Sequence, residues 1–366
     1  MARKLKSDRV LFIATILLVG LSIVMVYSAS AVVALEKYQR PYMFLIRQGI
    51  WAALGMGVLA VVMRLDYRTY REPAVIWTAL GVVSFGLVAV LFSPPVNNAH
   101  RWFGVLGVGI QPSELAKLAA IFFIAAILER RMHRINEIGY SLAPIAVVVL
   151  GLVGLIVVEP DFGTSMTLLL IAAVMVFAAG LNYRYIVGVI LVALPTLCVV
   201  LMSASYRRRR LLAFLNPWDD PLGDGFQIIQ SLIAVGTGGV WGKGLMNGVQ
   251  KLFYLPEPHT DFIYSVISEE LGLVGATCVL LCFFVITWRG LRAALRAPDS
   301  FGALLALGLT TMVAVQALVN VSVVIGLMPT KGIPLPFISF GGSSLLINLL
   351  GMGILLNVSQ HASSDA

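Results

Sequence analysis

The chain has 366 residues, of which 59% are hydrophobic and only 12% charged, against about 25% charged in soluble domains. Its formal net charge of +8 comes mostly from basic residues that flank long apolar runs, which excludes a nucleic-acid surface and indicates a polytopic membrane protein. The three cysteines, Cys198, Cys278 and Cys282, all fall in apolar runs, so neither a disulfide framework nor a metal cluster is implied.

A membrane crossing needs about 20 mostly apolar residues, and ten runs qualify: 10–34, 44–63, 75–92, 112–128, 143–158, 164–181, 186–202, 262–287, 301–328 and 343–358. The first follows Arg3, Lys4, Lys6 and Arg9; it is too long for the apolar region of a cleaved signal and reads as a retained anchor. The expected fold is therefore all-α, a polytopic membrane bundle of about ten transmembrane helices. The whole chain, 1–366, forms one integral membrane domain, with a long outer loop, 203–261, between helices seven and eight.

Basic residues fix the orientation. With the N-terminus inside, fourteen lie in cytoplasmic segments, from Arg3 to Arg296, and only Lys37, Arg40, Arg101 and Lys331 in short outer loops. That bias places both termini in the cytoplasm. Arg207, Arg208, Arg209 and Arg210 follow run seven on the outer side, either snorkelling to headgroups or forming an anion site for a phosphorylated lipid.

An ionisable side chain at a helix centre costs ~2.5–3.5 kcal/mol, so each needs a reason. In run four, Glu114 and Lys117 lie three residues apart and share a face; either they neutralise each other or Lys117 serves a charge on another helix. In run eight, Asp261, Ser265 and Ser268 share a stripe at 100° per residue, Glu269 flanks it and Glu270 points away. The stripe either lines a wet groove or hydrogen-bonds a neighbouring helix. Gln316 and Asn320 lie four apart in run nine. After them PTKGIPLPFISFGGSS, 329–344, cannot be regular helix, and its Gly and Ser N–H groups, up to Ser343, either form an anion nest or an ordinary turn.

Asp261 ends the segment PEPHTDF, 256–262, whose two prolines constrain the chain where it enters the membrane. A carboxylate there either caps the helix or acts on a substrate at the headgroups. Other apparent motifs carry nothing. Asp161-Phe162-Gly163 falls in a short outer turn, and GTGGVWGKGLMNG, 236–248, departs from the phosphate-loop pattern at Thr237 and Gly244. His100 and His259 alone do not make a metal site.

Seven blocks in order, MVYSAS (25–30), NNAHRW (97–102), QPSELAKL (111–118), EPDFGT (159–164), RRLLAFLNPWDDP (209–221), QKLFYLPEPHTDFIYSVISEELG (250–272) and GLMPTKGIPLPFISFGGSSL (326–345), resemble the SEDS family (shape, elongation, division and sporulation) of bacterial membrane proteins, the FtsW/RodA group. PTKG at 329–332 is nearer the FtsW branch. Asn98 and Phe340 depart from the usual Gly and Tyr, and neither threatens the resemblance.

The resemblance implies a peptidoglycan glycosyltransferase that polymerises lipid II in the bacterial inner membrane, with Asp261 as the essential acid. Asp261 would take the proton from the GlcNAc 4-hydroxyl as it attacks MurNAc C1 with inversion, and undecaprenyl diphosphate would leave. Lys117, Arg101, Arg207, Arg208, Arg209 and Arg210 are the cations available to the diphosphate; Glu114, His259, Glu269 and Ser343 complete the substrate-side candidates. No motif specifies a metal, and the sequence requires no cofactor, though diphosphate chemistry leaves room for a divalent cation, magnesium or manganese. The implied partners are a class B penicillin-binding protein that cross-links the strand and other membrane proteins of the division or elongation machinery. The rival readings are a lipid II flippase, since broken helices and intramembrane charges also suit transporters, and a non-enzymatic scaffold.

Overall fold

The structure is a computed structural model that describes residues 7–94, 100–105, 108–185, 187, 188, 191, 195, 209, 212–330 and 332–362. Its helices are α1 Arg9–Tyr38, α2 Met43–Val62, α3 Pro73–Val90, α4 Pro112–Arg131, α5 Ala143–Val158, α6 Phe162–Ala178, α7 Phe226–Thr237, α8 Ile263–Leu295, α9 Ser300–Val324 and α10 Gly342–His361. The expected all-α polytopic bundle is the fold found. Nine of these helices correspond to nine of the expected runs; the other run, 186–202, lies largely outside the described residues. Two short strands, β1 Phe103–Val105 and β2 Val108–Ile110, pair antiparallel just ahead of α4, a hairpin that the apolar pattern did not announce.

Local chemistry sets several helix starts. The Asp8 carboxylate accepts the amides of Val10 and Leu11 at 3.0 and 3.1 Å, and Asp299 accepts that of Gly302 at 2.7 Å. Pro73 and Pro112 open α3 and α4, where the missing N–H costs no intrahelical bond.

Among the described residues seven helical segments, α5 counted with the turn ahead of it as 138–158, are long and apolar enough to cross a membrane by themselves. The charged α4 is not among them, yet it runs through the middle of the bundle, and fifteen of its twenty residues are buried. Its surroundings are protein rather than lipid, so a Glu–Lys pair is tolerated there as long as the two meet.

At one end of the bundle the Asp8 amide donates to Ser359 Oγ at 3.3 Å and its carboxylate accepts Arg289 Nε at 2.6 Å. Nearby, the Tyr67 amide donates to Asn357 Oδ1 at 3.0 Å and its hydroxyl to Asp299 at 2.6 Å. The start of α1 and the end of α10 therefore share a side, as an even number of crossings requires.

The segment between run seven and α8 is not a simple outer loop. After α7 it folds back against α8, which breaks at Gly272 (φ 66°, ψ −165°). The break frees backbone groups, and the returning chain takes them up. Lys243 and Gly244 donate to the carbonyls of Glu269 and Glu270 at 3.0 and 2.9 Å, while Leu273 and Val274 donate to Gly239 and Val240 at 2.9 and 3.2 Å. A Cβ on Gly272 would come 2.3 Å from the Gly242 nitrogen, so no larger residue fits. Gly272 lies about 15 Å along the helix axis from the N-terminal end of α8. Irregular backbone at that depth survives because protein satisfies it.

Candidate active site at the mouth of the bundle

Two irregular segments, 256–262 and 332–341, are sewn together at the N-terminal end of α8. Phe340 N donates to His259 O at 2.9 Å, and Ser339 Oγ donates to Thr260 O at 2.6 Å while accepting Leu335 N at 2.8 Å. From α9, Asn320 Nδ2 donates to the carbonyls of both Asp261 and Ile333, each at 2.8 Å. In the sequence Asn320 is marked only as a polar residue in a span. Its function as the tie between two loops needed their fold.

The capping alternative for Asp261 does not hold. Phe262 occupies the cap position of α8 with no side-chain cap bond, and the Asp261 carboxylate accepts no hydrogen bond among the described residues. Instead it stands partly buried against Gly332, where a Cβ would lie 2.7 Å from Oδ2. Burial first, then the charge of Glu257, pushes the carboxyl up to about 7; Asp161 adds to this and Arg101 opposes it.

The facing wall comes from the turn between α5 and α6 and from the chain ahead of β1. Asp161 is the cap of α6: it accepts Thr164 N at 3.2 Å, Thr164 Oγ1 at 2.8 Å and, from the start of α4, Gln111 Nε2 at 2.9 Å. Arg101 donates Nε to Glu159 O at 3.1 Å and a terminal nitrogen to Pro160 O. The two walls meet where Gly163 packs on Ile333, a Cβ there lying 2.8 Å from Ile333 Cγ1.

An aromatic cluster forms the third side. His259 lies between Phe44 of α2 and Phe340, with ring centroids 4.7 and 5.7 Å away. Burial pushes its imidazole below the usual range, against the pull of Glu257, and its buried Nδ1 has no partner among the described residues. Ser343, at the start of α10, is also buried with an unpartnered hydroxyl.

Other sequence candidates sit elsewhere. Lys117 Nζ meets Glu114 Oε1 at 2.8 Å with both side chains almost wholly buried, so of the two alternatives the intrahelical pair is the one found. Glu269 is buried and fastened to the returning loop by Lys243 Nζ at 2.7 Å and by the amides of Val249 and Gln250 at 2.9 and 3.1 Å. Glu270, expected to point away, is buried too: Lys251 Nζ reaches it at 2.5 Å, and Ser28 Oγ donates to it at 2.6 Å. The serine stripe is no wet groove. Ser265 Oγ meets Ser231 Oγ of α7 at 2.8 Å, and Ser268 Oγ bonds its own helix. Arg209 approaches Asp224 at 3.7 Å; Arg207, Arg208 and Arg210 lie outside the described residues. Among the described residues no group of three or more His, Cys, Asp or Glu side chains is placed to hold a metal.

Among the described residues the mouth thus offers one partly buried carboxylate that accepts no hydrogen bond, one guanidinium in its field, and two loops tied together around it. Known proteins share the chain's pattern. The FtsW/RodA/SpoVE family, described as a cell cycle protein, matches residues 8–364. A Geobacter sulfurreducens protein named probable peptidoglycan glycosyltransferase FtsW is 46% identical over 360 residues, covering 97% of this chain and 96% of the relative. Stage V sporulation protein E of Bacillus subtilis is 43% identical over 365 residues, covering 98% and 99%. Among solved structures, a chain from work on structural coordination of polymerization and crosslinking by a peptidoglycan synthase complex superposes with a TM-score of 0.81 at 31% identity, over 98% of this chain and 99% of that one. The rod shape determining protein RodA of Thermus thermophilus gives a TM-score of 0.72 at 27% identity, with 98% of each chain covered.

Proposed function

Because the chain belongs to the FtsW/RodA/SpoVE family of cell cycle proteins, we propose that it polymerises lipid II into glycan strands at the outer face of a bacterial cytoplasmic membrane, with Asp261 as general base. It is a peptidoglycan glycosyltransferase, and the whole chain acts as one membrane domain with both termini in the cytoplasm.

One observation carries the assignment of the base. Asp261 is a partly exposed carboxylate at the mouth that caps no helix and accepts no bond among the described residues, and burial pushes it up to about 7, the range that proton transfer from a hydroxyl favours; Glu159, also without a partner among the described residues, is fully buried. As the GlcNAc 4-oxygen forms its bond to MurNAc C1, its proton passes to Asp261. The bond from C1 to the diphosphate oxygen breaks with inversion, and undecaprenyl diphosphate leaves with the electron pair. Asp261 then returns its proton to solvent. Arg101, the cation in the field of Asp261, stabilises the departing diphosphate. The neutral His259 and the Ser343 hydroxyl border the acceptor sugar. Glu114, Lys117 and Glu269 support the frame from within the bundle.

A transpeptidase of the penicillin-binding class is the partner that fits, since a polymerised strand must be cross-linked and one similar chain comes from a synthase complex that couples the two steps. The transporter reading would lean on the break in α8, but the returning loop occupies that break.

Asp261→Asn in purified full-length protein supplied with labelled lipid II is the test. Loss of the base predicts polymer formation reduced about 10²–10⁴-fold. Near-normal polymerisation would remove Asp261 from the reaction, and lipid II movement across the bilayer without polymer would favour the transporter.

A further inference from the structure

Glu159, which ends α5 at the outer mouth, has no part in the mechanism above. It is fully buried, and neither carboxyl oxygen meets a hydrogen-bond partner among the described residues. An ionised carboxylate in such a place is strongly disfavoured and takes up a proton instead. Arg101 lies beside it, yet the guanidinium spends its bonds on the carbonyls of Glu159 and Pro160, not on the carboxyl.

Among the described residues the charged groups facing Glu159 are Asp161 at the head of α6 and Arg101 ahead of β1. The same two act on Asp261, which also feels Glu257. Arg101 is therefore the cation shared between two carboxyls. If both were ionised, its charge would be consumed within the protein.

We propose that Glu159 is a positioning residue held as the neutral acid, so that Arg101 keeps its charge for an anionic group at the outer mouth, and that ionisation of Glu159 withdraws Arg101 from that group. The anionic group is the diphosphate of the lipid-linked substrate, and the inference rests on Arg101 being its contact. Loss of the Glu159 proton to solvent leaves a carboxylate next to the guanidinium, and a charge-assisted pair between them competes directly with the diphosphate. Burial first and the Asp161 charge second push the Glu159 carboxyl up to about 8, against Arg101, so the switch lies just above neutrality.

The test compares apparent KM for lipid II at about pH 7 and about pH 9 in purified full-length protein. In the wild type KM should rise about tenfold between the two. In Glu159→Gln, which stays neutral throughout, the ratio should stay within about twofold. In Arg101→Gln the rise should vanish because KM is already high at the lower pH. An equal rise in wild type and Glu159→Gln, or a flat wild-type profile, would overturn the proposal.

A second measurement needs no change at position 159. In protein carrying Asp261→Asn, infrared spectroscopy should show a protonated-carboxyl band at about pH 7 that is lost by about pH 9; its absence at the lower pH would also overturn the proposal. Failure of every protein, wild type included, to make polymer would count against the glycosyltransferase reading, and the infrared band would still decide the state of Glu159.

Discussion

The carboxylate of Asp261 rests on the bare backbone of Gly332, with 2.7 Å between Oδ2 and the point where a Cβ would begin. The two come from segments 71 positions apart in the chain, and Asn320 ties the same two strands of backbone by bonding Asp261 O and Ile333 O. Gly332→Ala should push the carboxylate aside without altering its chemistry. Misplacement of a reacting group by about 1 Å costs on the order of 10²-fold. A loss of that order, in protein that inserts and extracts normally, is expected in a polymerisation assay; full activity would mean that the carboxylate has room to spare.

Asn320→Ala removes the tie itself. A buried carbonyl, Ile333 O, and a part-buried one, Asp261 O, lose their donor, at about 1–3 kcal/mol for a buried group left unsatisfied. Thermal unfolding in detergent should show the loss, and polymerisation should fall with Asp261 still present. An unchanged melting temperature would show that the two loops hold each other without Asn320.

Glu114 and Lys117 form a closed pair inside α4. Lys117→Ala strands a buried carboxylate and should cost about 3–5 kcal/mol. The double change Glu114→Gln with Lys117→Met restores neutrality and should recover most of that stability, with activity following stability. A stable double variant that makes no polymer would return Lys117 to the substrate's side.

The pH profile follows from Asp261. A base works only when ionised, so polymerisation should rise with pH through about 7. The stability sign is the reverse. The unfolded aspartate titrates near 3.9, so between about pH 4 and about pH 7 the folded protein binds more protons than the unfolded chain. The contribution is fully present below the unfolded value and is lost as pH rises through about 7. Glu159, raised to about 8, extends the decline. Asp261→Asn should flatten the lower part of the stability curve, measured by thermal unfolding against pH.

Topology can be read by labelling. Leu222 is 87% exposed, whereas a side chain at Gly223 would collide with Asp220, 2.1 Å from its Oδ2. Leu222→Cys should react with a membrane-impermeant reagent added outside. Reaction only after permeabilisation would reverse the assigned orientation.

Apolar runs and basic flanks determined the membrane class, nine of the helices and the sharing of one side by the chain's two ends, because lipid demands a continuous apolar stretch and charge is read locally. The blocks around Asp261 also marked the mouth. What those residues do there was not legible. Asp261 could be a cap or a base until Phe262 was found at the cap position, and Lys117 could face two partners until its rotamer met Glu114. Glu159 and Gly332 stood within the blocks that carry the resemblance, and Asn320 within a span, but nothing in the sequence said what any of them touches. Their functions lie in contacts between segments far apart in the chain, such as Asn320 with Asp261 and Ile333. The return of the 239–244 segment into α8 was hidden for the same reason. Its composition is that of any glycine-rich loop, and only the break at Gly272 supplies the unpaired backbone groups that draw it into the bundle, where no water can satisfy them.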